Sequence, residues 1–149
     1  MNLRRILSAA AIAAIATGTL SACSPQYPMA ARIVDGAVTV ALCQQLNIEQ
    51  ITFAATDDTS ELKTVWDIEG AAAVRAGYTI GYATLPSKWQ SITPPHALDP
   101  VSDRIVVTIA GGGIGSESGR VQSGDFAAAS ITEGDWVTPA GVRRSSPCG

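Results

Sequence analysis

The chain has 149 residues, of which 10 are basic and 13 acidic, and 46% are apolar. That length supports one domain with a real core, and the region left after the leader is too short for two. The acidic balance argues against nucleic acid as a partner.

The amino terminus has the three-part pattern of an export signal. Arg4 and Arg5 form a short positive segment, and Ile6 to Thr19 is uncharged and apolar or small. A membrane-spanning helix needs about 20 apolar residues, and this stretch is shorter and rich in alanine. It ends on small residues rather than on a stop-transfer cluster, so residues 1–22 read as a signal peptide. The twin-arginine alternative is poorly matched by Ile6-Leu7-Ser8.

Leu20-Ser21-Ala22-Cys23 resembles the lipobox of bacterial lipoproteins at all four positions. The resemblance implies diacylglycerol transfer to the Cys23 thiol, followed by cleavage before that residue. A thiolate is the nucleophile such a transfer needs. Two acyl chains on Cys23 would give stable anchoring at the extracytoplasmic face of the cell membrane. Residues 23–30 then form a short tether containing Pro25 and Pro28, and 31–149 a single domain. Without the leader, 8 basic residues face 13 acidic ones, which gives no reason to expect a polybasic grip on lipid.

From Val38 onward the pattern alternates with period two. Strands are predicted at Val38–Leu42, Ile48–Ala55, Thr64–Glu69, Tyr78–Tyr82 and Arg104–Ala110, with weaker ones at Arg120–Gln122 and Asp135–Thr138. Turn residues separate them at 57–60, Gly70, Gly77, 86–87, 93–95 and Gly111–Gly113. Ala71 to Ala76 fits a helical turn, a strand or a connector. Short strands at this spacing predict an all-β fold, a small antiparallel β-sandwich or barrel with little helix.

With Cys23 modified, Cys43 and Cys148 remain as an even pair outside the cytoplasm, where disulfides persist. No CxxC spacing is present and His96 is the sole histidine, so a zinc or redox pair is not expected.

The remaining candidates each have a plain structural explanation. Gly111-Gly112-Gly113-Ile114-Gly115 has Ser116 where a dinucleotide-binding turn needs its last glycine, so a hairpin tip or sheet edge is expected. Gly115-Ser116-Glu117-Ser118-Gly119 lacks the central serine of a hydrolase elbow. His96 lies among three prolines and reads as a surface loop. Asp57, Asp58 and Glu61 fit a solvated acidic turn better than a calcium loop. Asp67 and Glu69 read as the solvent side of a strand whose other side is Trp66 and Ile68. Trp66 reads as core. Trp89 is either tucked over the end of the sandwich or exposed as a partner contact.

In its plan the chain resembles small lipoproteins of alanine-rich, actinobacterial-type proteomes, a class without an assigned function. The expectation is a non-enzymatic binding or interaction module that engages an envelope protein or glycan and needs no cofactor, metal or catalytic residue. The alternative is a small extracytoplasmic hydrolase.

Overall fold

The computed structural model describes residues 27–99, 102–113 and 120–149. Among the described residues ten strands form two five-stranded sheets. The first holds β1 (Met29–Val34), β2 (Ala37–Leu42), β5 (Tyr78–Gly81), β9 (Trp136–Val137) and β10 (Arg143–Arg144), in the order β10-β9-β1-β2-β5. The second holds β3 (Leu46–Thr56), β4 (Leu62–Val74), β6 (Gln90–Thr93), β7 (Arg104–Gly113) and β8 (Arg120–Ala127), in the order β6-β4-β3-β7-β8. Every pairing of these strands is antiparallel. The protein is an all-β sandwich, which decides the alternative against a barrel.

Alternation of side chains builds the core. Val38, Val40 and Leu42 point inward from β2, and Ile51 and Phe53 from β3. Trp66 and Ile68 do so from β4, and Ile105, Val107 and Ile109 from β7. At the centre, Phe53 and Trp66 lie 5.5 Å apart, and the ring of Tyr82, just beyond β5, meets them edge-on at 5.4 and 5.6 Å. Such edge-on pairs add about 0.5–1.5 kcal/mol each beyond their buried area. They join the two sheets across the sandwich.

Several local expectations change. β1 begins at Met29, so Met29 and Ala30 belong to the sheet rather than to a tether; both are fully buried. Ala71 to Val74 continues β4 beyond Gly70. Gly111–Gly113 is not a hairpin tip: it extends β7 along Leu46–Ile48. A Cβ at Gly111 would overlap the Asn47 carbonyl oxygen, so glycine permits the close approach of the two backbones. Ile114, Gly115 and Glu117, on which the nucleotide-turn and hydrolase-elbow readings also fell, lie outside the described residues. β6 carries no period-two signal because it is exposed along nearly its whole length, and β10 because it is only two residues long.

Cys43 and Cys148 form a disulfide with Cα atoms 5.0 Å apart across 105 residues of sequence. The Cys43 amide also donates to the Pro28 carbonyl at 2.8 Å. The entry to β1, the exit of β2 and the segment around Cys148 are thereby held together. Replacing both cysteines with serine is expected to lower the unfolding free energy by about 2–5 kcal/mol, read from urea melts beside the oxidised wild type. Equal midpoints would show that the bridge adds nothing to stability.

Candidate functional site

The outer face of the second sheet carries a group of polar side chains held on strands. Gln50 and Thr52 of β3 stand beside Asp67 and Glu69 of β4, with Gln50 opposite Glu69 and Thr52 opposite Asp67. Gln50 Nε2 donates to both Asp67 carboxylate oxygens at 3.0 and 3.1 Å, and Thr52 Oγ1 donates to Oδ1 at 3.0 Å. These bonds fix the Gln50 amide without using its oxygen as an acceptor. The carboxylate of Asp67 therefore works as a positioning group for Gln50 and Thr52.

A register step gives this face its shape. Between Ile48 and Gln50, β3 has one residue, Glu49, where β7 has none between Gly111 and Ala110. Across the same step β4 has two, Gly70 and Ala71. The surplus rises strand by strand, and an uneven ladder of this kind bends a sheet and increases its twist. At the bend lies a depression of about 490 Å³ lined by Glu49, Gln50, Glu69, Gly70, Lys88, Gln90 and Ala110. Its size falls in the range of small-ligand sites, but its lining is polar where most such sites are apolar.

Trp89 makes the floor possible. The turn Pro86–Trp89 closes with the Trp89 amide on the Pro86 carbonyl at 3.2 Å, and Lys88 takes a left-handed backbone (φ 70°). Lys88 then lines the depression, whereas Trp89 is 7% exposed and joins the core. The indole packs where a Gly70 side chain would be: a Cβ there would come 2.6 Å from Trp89 Cγ. Trp89 is thus tucked into the sandwich, and its burial corrects the reading of it as an exposed partner contact. Glycine at position 70 accommodates it.

The other candidates have structural roles. The Asp57 carboxylate accepts from the Thr59 amide at 2.9 Å, the Thr59 hydroxyl at 2.6 Å and the Glu61 amide at 3.0 Å, and it pairs with Lys63. Lys63 and Thr59 hold it well below the usual carboxylate range, so the acidic turn is closed on itself. His96 is exposed, and its backbone does the work: its amide donates to Val65 O at 2.9 Å and its carbonyl accepts from the Tyr82 hydroxyl. Val65 O lies 3.1 Å from the same Tyr82 Oη as a second acceptor for its one hydrogen, and burial pushes the Tyr82 pKa up. Trp66 is core, as expected. Trp136 is 5% exposed, but in a separate small cluster with Ala30 and Ala41 on the outer face of the first sheet. Cys23 lies outside the described residues.

Gln50, Thr52, Lys88 and Gln90 were not singled out from sequence. Each is an ordinary polar residue on or beside a strand, and only pairing across three strands brings them together. Comparison with protein-family models, curated proteins and solved structures finds no match to this chain. Among the described residues, no group of three or more His, Cys, Asp or Glu is placed to hold a metal ion, and no helix is long and apolar enough to cross a membrane.

Two outcomes are expected here. Gly70→Ala forces the indole to shift, at a cost of about 1–3 kcal/mol for overpacking, and red-shifts the tryptophan emission; an unchanged spectrum would place Trp89 elsewhere. For the Asp57 turn, the folded carboxyl has the lower pKa, so the unfolded chain binds more protons and stability rises with pH. Its contribution is present above the unfolded value of about 3.9 and lost as pH falls below it. Melts of Asp57→Asn should therefore fall below wild type at pH 7 and converge with it in acid.

Proposed function

We propose that this chain is a lipid-anchored extracytoplasmic binding module whose ligand is a hydroxyl-rich glycan of the cell envelope, held on the outer face of the second sheet. The observation that carries this is the polar depression at the β3–β4–β7 bend. Its amides and carboxylates project from hydrogen-bonded strands and Gln50 is held by Asp67, so little backbone order has to be gained on binding. A saccharide hydroxyl both donates and accepts. Gln90 offers an amide that can do the same, Gln50 its carbonyl oxygen, Glu49 and Glu69 acceptors, and Lys88 a donor. The lipobox resemblance supplies the compartment, and a disulfide is compatible with it.

Titration calorimetry of the detergent-extracted protein against soluble peptidoglycan fragments tests the ligand. Gln50→Ala and Gln90→Ala are each expected to weaken binding about fivefold, the scale of one neutral hydrogen bond. Thr59→Ala, in the remote turn, should leave it unchanged. Absence of heat with every fragment, or equal affinity in all variants, would refute the site. Turnover of a bound fragment would replace the binding module with the hydrolase reading. The anchor is tested separately by fatty-acid labelling of wild type and Cys23→Ala; an unlabelled wild type would refute it.

A further inference from the structure

The outer face of the first sheet carries a row of alternating cations and rings. Arg32 of β1 lies over the Trp136 ring of β9, with its guanidinium carbon 4.5 Å from the ring centroid. Arg144 of β10 pairs with Trp136 across the β9–β10 ladder. The guanidinium carbon of Arg144 lies 5.9 Å from the ring of Tyr27. The sequence Arg32–Trp136–Arg144–Tyr27 thus runs across three strands and onto the segment before β1. Stacking on a ring leaves the guanidinium edge for in-plane acceptors, the geometry that suits phosphate oxygens.

Two further observations bear on what meets this row. Among the described residues neither Arg32 nor Arg144 is ion-paired with a carboxylate; the ion pairs present are Lys63–Asp57 and Arg104–Asp125. The loop before β9 carries two carboxylates, Glu133, bridged to Ile33, and Asp135; Arg32 donates to the Gly134 carbonyl between them at 3.4 Å. Tyr27 is also only four residues after Cys23. Fully extended, four residues reach about 14 Å, so a lipid on Cys23 keeps Tyr27 and Arg144 at headgroup depth.

We infer that this face lies against the membrane, with Arg32 and Arg144 contacting the phosphates of anionic phospholipid and Tyr27 at the interface. A net acidic chain is thereby oriented by a local cationic row. The inference rests on the lipoprotein reading for the nearness of the bilayer. It also sets the polar depression, on the opposite outer face of the sandwich, away from the membrane and toward the envelope.

The test uses the chain purified from membranes, with intact mass first recording whether Cys23 carries diacylglycerol. The protein is then combined with vesicles of phosphatidylcholine alone or of phosphatidylcholine with phosphatidylglycerol, and amide hydrogen exchange is compared. Slower exchange over 27–34 and 136–144 is expected in the phosphatidylglycerol vesicles only, and its loss in Arg32→Gln/Arg144→Gln while the lipidated protein stays vesicle-bound. If the mass shows no lipid, the lipoprotein reading fails by itself. The same vesicles then report co-sedimentation, which should fall about fivefold per arginine removed. Equal exchange in both vesicle types, protection of β3 and β4 instead, or co-sedimentation indifferent to the arginines would overturn the inference.

Discussion

The second sheet is organised by one step in register, at Glu49 of its central strand. Glu49 interrupts the ladders on both sides of β3, and because β3 is the central strand, the step is imposed on β4 and β7 together. Each neighbour responds with glycine: Gly111 lets its backbone approach Asn47, and Gly70 leaves room for Trp89. The curvature that results gives a flat sheet face a concavity, and it brings Lys88 and Gln90 within reach of Gln50 and Glu69. Larger side chains at Gly70 and Gly111 would oppose the bend and the depression together.

The alternation of apolar residues made the main strands and their inward faces legible in the sequence. Trp66, Ile68, Val107 and Ile109 occupy the positions that period two assigns them, because the buried face of an antiparallel strand leaves that signature. The signal fails where burial does not alternate. Met29 and Ala30 are both buried because one faces the core and the other lies beneath Trp136 on the far side of the sheet. Gly111–Gly113 has turn chemistry but is held extended by its partner strand, so tertiary pairing overrides local preference.

The candidate site was less legible than the fold. Asp67 and Glu69 are recognisable as a solvent-facing pair, but Gln50 and Thr52, which donate to Asp67, lie 17 and 15 residues away from it. A hydrogen-bond network that crosses strands has no spacing rule in one dimension. The same holds for the row of arginines and rings, whose members at positions 27, 32, 136 and 144 are joined only by sheet order. A net acidic total also does not show where individual arginines such as Arg32 and Arg144 lie.

The bridge between Cys43 and Cys148 also carries information about time. A ribosome adds residues in order, so the first thiol exists for 105 further elongation steps before its partner is made. A chain that stops short of position 148 cannot form this bridge, whatever else it has folded. The Cys43–Cys148 bond thus marks molecules whose synthesis has passed that position.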